Sequence, residues 1–318
     1  MYTRFYGFNE KPFEITPDPR FLYLSDHHKE ALAHLIYATR EGKGFTVISG
    51  EMGTGKTLMG HTLLSRLDGN IKTVYLVNPY LNPLDFLQTI CEALGLKGQE
   101  RSKGQYLTQL HSYLLEANAR GDKVLLIIDE AQCLSPDLLE EIRLLTNFET
   151  DRSKLLLIVL LGQPELNDQL DSHEFRQLKQ RVSLRYHIQT LNKKETKKYI
   201  EKRLSVAGAS NLNIFTSKAV KDIYTYSKGT PRVINIICDN ALLTGFATDQ
   251  KTIKSKIIRE VIQRLNGPKR KKGEKVGIPV LIAAMGGLFL GGLFLEWRFG
   301  LFQDFLKLIE KTFLFYFS

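Results

Sequence analysis

The chain has 318 residues, 43% hydrophobic and 25% charged, an ordinary globular composition with room for two domains or one domain and an appendage. Its three cysteines, Cys91, Cys133 and Cys238, lie far apart with no pair at metal or redox spacing; they read as small buried thiols in a reducing compartment, not as a disulfide framework. The formal charge of +10 raises nucleic acid as a partner, but the stretches 193–203 and 266–275 hold eight of those ten charges, so no basic surface spreads over the whole protein.

The N-terminus, MYTRFYGFNEKPF, has no apolar run of signal-peptide length and is not expected to be an export signal. A loop-like segment, ITPDPRFLYLSD, leads into the helical pattern HHKEALAHLIYATREG, capped at its start by Ser25 or Asp26. Strands and helices then alternate. Strands are predicted at 45–49, 72–77, 123–129, 154–161 and 182–188, with helices near 56–67, 82–95, 104–119, 135–148 and 164–180. The interior strands are near-continuous Val, Ile and Leu, the pattern of a parallel sheet covered on both faces, so the expected fold class is a doubly wound α/β sheet. After His187 the strand signals stop, and four helical patterns fill 189–265, a small helical domain behind an α/β domain at 1–188.

The basic stretch 266–275 precedes VGIPVLIAAMGGLFLGGLFL, residues 276–295, without a charge. About 20 apolar residues match the hydrocarbon thickness of a bilayer, whereas a core helix of that length keeps a polar stripe, so one transmembrane helix is expected there. The tail 296–318 repeats apolar residues at helical spacing with charges between them and is expected to lie in the membrane interface.

The chemistry centres on GEMGTGKT, residues 50–57, which fits G-x-x-x-x-G-K-[ST]. Its glycines let the backbone curl so that successive N–H groups point at phosphate oxygens, and the following helix directs its positive N-terminus there. The expected nucleotide contacts are Gly50, Glu51, Met52, Gly53, Thr54, Gly55, Lys56, Thr57 and Leu58, with Lys56 on the β- and γ-phosphates and the Thr57 hydroxyl on Mg²⁺. A glycine turn with a surface lysine would fit the same letters, but a strand before and a helix after are the context a phosphate loop requires. The apolar strand KVLLIIDEAQ ends in Asp129 and Glu130. Asp129 is placed to hold the Mg²⁺ shell and Glu130 to orient and deprotonate water; a helix-initiating acidic pair is the alternative.

Together GEMGTGKT, IIDEAQ, LLGQPEL, FRQLKQR and GTPR resemble the AAA+ ATPases, and the opening YGFNEKPFEITPDPRFLYLSDHHKEAL resembles the general secretion pathway protein A type, which includes pilus-biogenesis and exosortase-associated members. The likeness covers about 1–265. It implies ATP and Mg²⁺ as cofactors, a ring-like homo-oligomer, and the helical domain as a lid. It implies Gln163 as the sensor-1 residue, Arg181 as an arginine finger offered to a neighbouring subunit (Arg176 and Arg185 are rivals), and Arg232 as the sensor-2 arginine. It also implies that FLYLSDHHKEAL lines the adenine side, with His27 and His28 read as surface residues. The family's periplasmic peptidoglycan-binding domain is not expected within 296–318, a stretch too short to form one.

The functional expectation is a membrane-anchored, Mg²⁺-dependent ATPase that powers or regulates assembly of a secretion, pilus or export machine, with an inner-membrane partner. Its ATPase domain would face the bacterial cytoplasm on a single-pass anchor in the inner membrane, with nucleic acid not expected as a partner. A DNA-associated regulator of the transposition ATPase type is the alternative, and a slowly hydrolysing nucleotide-dependent scaffold is a third reading.

Overall fold

The computed structural model describes residues 1–16, 18–77, 79–96 and 102–266. The expected transmembrane stretch 276–295, the tail 296–318 and the basic linker after Asn266 lie outside the described residues. Among the described residues, no helix is long and apolar enough to cross a membrane. Residues 1–263 form one compact unit.

The elements in chain order are α1 (Tyr2–Tyr6), α2 (Asp26–Arg40), β1 (Phe45–Gly50), α3 (Lys56–Leu64), β2 (Ile71–Leu76), α4 (Pro83–Ala93), α5 (Lys103–Ala119), β3 (Lys123–Ile128), α6 (Pro136–Leu145), β4 (Leu156–Gly162), α7 (Pro164–Asp171), α8 (Arg176–Arg181) and β5 (Leu184–Ile188), then α9 (Lys193–Val206), α10 (Ser217–Ser227), α11 (Pro231–Ala247) and α12 (Ser255–Leu265). The five strands form one parallel sheet in the order β2-β3-β4-β1-β5, the doubly wound sheet that the apolar runs predict. Alternate residues of a strand face opposite sides. Val124, Leu126 and Ile128 therefore pack with α4, α5 and α6, while Leu125 and Ile127 pack with α2 and α3. Burial on both faces is why these strands read as unbroken apolar runs instead of alternating ones.

Local chemistry fixes where several helices begin. Asn82 and Ser135 cap α4 and α6, each followed by a proline whose missing N–H costs nothing in the first turn. Ser102 with Gln105, and Asn192 with Glu195, form reciprocal capping boxes at α5 and α9. Ser25 caps α2, settling the choice between Ser25 and Asp26. One predicted helix is corrected. Residues 164–180 do not form a single helix but two, α7 and α8, because Ser172 turns extended at the end of α7 and the chain re-enters helix only at Arg176.

The helices after β5 share a second core that recruits the very start of the chain. Tyr2, Tyr6, Phe8 and Phe13 pack with Ile200, Leu204, Ile223, Ile237 and Ile258. The Tyr2 hydroxyl donates to Asp239, and the Tyr6 hydroxyl donates to the carbonyl of Gln250 at 2.9 Å. Residues 1–13, which sequence order groups with the sheet, thus complete the hydrophobic core of α9–α12.

Candidate nucleotide site

All five strands run the same way, so their C-terminal ends line one edge, and the loop after β1 lies where the sheet changes direction of winding. Register brings the pieces level: Ser49 pairs with Gly162, and Ile128 with Leu160, so the loop after β1, Asp129 after β3 and Gln163 after β4 open on the same edge.

Two glycines of the loop are left-handed, Gly53 at φ 80° and Gly55 at φ 102°, a region open to glycine at little cost. The resulting curl leaves donors over. Among the described residues, no group accepts a hydrogen bond from the N–H of Gly53, Gly55, Lys56, Thr57 or Leu58. Buried or half-buried N–H groups without acceptors at the start of a helix make a site for an anion. Lys56 is 5% exposed, and its ammonium donates to the carbonyls of Gly50 at 2.7 Å and Glu51 at 3.1 Å. Burial pushes its pKa below the ordinary lysine value, against the pull of Glu130 and Asp129. A phosphate would relieve that desolvation.

Asp129 is 1% exposed and, among the described residues, forms no ion pair. It accepts from the Tyr75 hydroxyl at 3.1 Å and from the Glu130 N–H at 2.9 Å. A buried carboxylate without a cation fits a divalent ion. No group of three or more His, Cys, Asp or Glu that could hold a metal exists among the described residues. Mg²⁺ would therefore rest on Asp129, Thr57 and the nucleotide's own phosphates, as Mg²⁺ commonly does. Glu130 has φ 51°, a strained conformation for a non-glycine residue and one that concentrates at functional sites. Its carboxylate accepts from Gln132 Nε2 at 2.6 Å and from Gln163 Nε2 at 3.4 Å, while the Gln163 N–H donates to Gln132 Oε1 at 2.9 Å. Glu130, Gln132 and Gln163 form one polar cluster beside the loop.

A cleft of about 250 Å³ joins these groups. Its walls include Phe21, Tyr23 and His28 from the N-terminal segment, Lys56 and Thr57 from the loop, Glu130 and Gln163 from the sheet edge, and Tyr199, Arg203 and Arg232 from the helices after β5. Arg232 is exposed at the start of α11, which touches the loop: its N–H donates to the Gly53 carbonyl at 3.4 Å. Arg181 does not line the cleft; its guanidinium donates to the Thr146 carbonyl at 3.5 Å. Arg176 and Arg185 are also outside the cleft, and Arg185 is paired with Asp171 at 2.9 Å.

A family model for an AAA domain matches residues 39–170. General secretion pathway protein A of Aeromonas hydrophila is 40% identical over 306 residues, 96% of this chain and 55% of that protein. The chain carries an AAA domain and is similar to general secretion pathway protein A along nearly its whole length. It spans about half the length of that relative. The ATP-dependent target DNA activator B of Escherichia phage D108 is 25% identical over 257 residues, 80% of this chain and 76% of its own. Among solved structures, the Aeropyrum pernix ORC2 protein superposes with a TM-score of 0.60 at 17% identity, covering 81% of this chain and 72% of its own, a likeness of fold.

Sequence reasoning named the loop and the acids of this AAA+ chain but missed groups that hold them. Gln132 lies inside the quoted IIDEAQ run, yet nothing in the sequence says that it bridges Glu130 and Gln163. Tyr75 on β2 reads only as one more strand residue. His28 is a correction: instead of a surface residue it is 4% exposed, because the phosphate loop covers it, while His27 is exposed. Arg203 sits in a run of charges that reads as solvated, but it is 7% exposed and donates to the carbonyls of Pro12 at 2.5 Å and Glu14 at 2.8 Å.

Proposed function

We propose that this AAA+ ATPase binds ATP at Gly50–Leu58 and hydrolyses it at Glu130, and that it does so on a membrane, in the service of an export or surface-assembly machine. The observation that carries the ATP reading is the row of N–H donors without acceptors, set beside a buried lysine and a buried acid. The loop and Lys56 bind the phosphates. Glu130, held by Gln132 and Gln163, orients a water and takes its proton as the water oxygen bonds to the γ-phosphorus. The bond from that phosphorus to the bridging oxygen breaks, leaving ADP and phosphate. Bound through Thr57 and Asp129, Mg²⁺ would supply charge neutralisation at the phosphates.

Arg232 reaches the phosphates from α11, so the helices after β5 act as a lid that senses the nucleotide. Arg181 lies outside its own cleft, which suits a finger offered to the next subunit of a ring. The anchor reading rests on the charge-free stretch 276–295, and the basic residues at 269–275 keep the ATPase on the cytoplasmic face of the inner membrane. The likeness to general secretion pathway protein A supports the export reading, and the inner-membrane partner rests on the anchor reading. The phage relative supports the alternative of DNA association through the exposed lysines of α9 at much lower identity.

The test is Mg²⁺-dependent ATPase activity of the full chain together with its fractionation. ATP turnover in the membrane fraction, and activity of a periplasm-dependent reporter fused after Ser318, are expected. Turnover by a protein that stays in the soluble fraction and is retained on duplex DNA would replace this reading with the DNA-associated one.

A further inference from the structure

His28 stands in the first turn of α2, between the cap residue Ser25 and the phosphate loop. Its Nε2 lies 2.8 Å from the Thr54 carbonyl oxygen and its Nδ1 2.6 Å from Ser25 Oγ. A carbonyl can only accept, so Nε2 carries the proton and donates it. Burial lowers the pKa of the ring and keeps it neutral, which leaves Nδ1 to accept the Ser25 hydroxyl proton. Ser25 Oγ in turn accepts the His28 N–H at 3.3 Å. Both ring nitrogens are thus committed, and the start of α2 fixes the ring's direction.

The loop carries the consequence. In a trans peptide the carbonyl and the following N–H point in opposite directions, and no peptide bond among the described residues is cis. With the Thr54 carbonyl drawn to His28, the Gly55 N–H faces away from the ring, and among the described residues nothing accepts it. Gly55 has the backbone freedom that would let this peptide flip. The rest of Thr54 is already held, its N–H and hydroxyl both donating to the Glu51 carbonyl, at 3.2 Å and 2.8 Å. The imidazole is the group that fixes the carbonyl.

We propose that His28 is a positioning residue of the phosphate cradle: by holding the Thr54 carbonyl it aims the Gly55 N–H at the phosphates of the nucleotide. The inference rests on reading Gly50–Thr57 as the cradle, and the experiment separates the two. The sequence contains only two Thr–Gly pairs, Thr54–Gly55 and Thr244–Gly245. Full-length protein labelled with carbonyl-¹³C threonine and ¹⁵N glycine therefore gives two filtered amide signals, one in the loop and one near the end of α11.

On adding ADP to the unaltered protein, the Gly55 proton is expected to move downfield while the Gly245 signal stays. In His28→Leu that movement should be lost and ADP affinity should fall about ten-fold, the scale of one hydrogen bond to a charged group. In His28→Gln, whose amide can still donate to the carbonyl, both should be restored. Ser25→Ala, which leaves the ring without its anchor, should weaken ADP binding a few-fold, so the idea remains testable if the leucine variant fails to fold. A His28→Leu protein with the wild-type Gly55 movement and ADP affinity would overturn the proposal, as would a Ser25→Ala protein with unaltered affinity if the leucine variant does not fold. Absence of any Gly55 movement in the unaltered protein would overturn the cradle reading itself, and the role of His28 with it.

Discussion

Replacing Gly53 by alanine perturbs the contact between the phosphate loop and α11. At φ 80° a residue with a Cβ carries a strain of about 1–2 kcal/mol. The new Cβ would also lie 2.6 Å from Arg232 Cβ, where carbon atoms prefer about 3.5–4.0 Å. The start of α11 must therefore retreat by roughly 1 Å, and overpacking of this kind costs about 1–3 kcal/mol. Gly42→Ala provides the control, since Gly42 has φ 68° but its added Cβ meets nothing within 4 Å. That variant carries the strain without the clash. For a unit of this size 1 kcal/mol moves the midpoint by about 2–4 °C, so Gly53→Ala should melt at least about 2 °C below Gly42→Ala. Because the retreat carries Arg232 away from the cleft, ADP titrations should show weaker binding by Gly53→Ala and unchanged binding by Gly42→Ala. Equal melting and equal ADP affinity of the two variants would refute the close approach of α11 to the loop.

Arg181→Ala should bind ATP normally but hydrolyse it poorly, and mixing it with Lys56→Ala protein should restore part of the activity; no recovery at any ratio would deny a shared site at Arg181. Tyr75→Phe removes the hydroxyl donor to Asp129, so the Mg²⁺ concentration for half-maximal ATPase activity should rise several-fold, and an unchanged Mg²⁺ requirement would mean that Asp129 needs no such support. The lowered pKa of His28 also makes stability depend on pH. Its folded value lies below the unfolded value of 6.5, so its contribution is present above about pH 6.5 and is lost as pH falls toward the folded value, at no more than about 1.4 kcal/mol per pH unit. Burial sets this direction, with Glu195 and the Thr54 carbonyl opposing it and His27 adding to it. The difference in melting temperature between wild type and His28→Gln should narrow from pH 7 to pH 5, and a gap that widens would contradict the assignment of a neutral ring.

The strands were legible because a parallel sheet buried on both faces needs apolar side chains at consecutive positions, and Val124 to Ile128 supply them on both sides. The phosphate loop was legible because its chemistry is local: the glycines, Lys56 and Thr57 are neighbours in the chain. The break at Ser172 was not, because no glycine or proline marks it, and Leu170 and Leu178 on either side of it keep the apolar spacing of one continuous helix. What escaped the sequence most completely depends on distance along the chain. The hydrogen bond from His28 to Thr54 spans 26 residues, and that from Arg203 to Pro12 spans 191. Burial of each side chain is decided by a partner that no local pattern announces.

The central claim, hydrolysis at Glu130 on nucleotide held by Gly50–Leu58, is tested most directly by Glu130→Gln in the full chain. The variant keeps the size and hydrogen-bonding reach of the side chain but loses the base. ATP binding should persist with affinity near that of the unaltered protein, and turnover should fall by about 10²–10⁴-fold. Turnover at the unaltered rate would contradict the account.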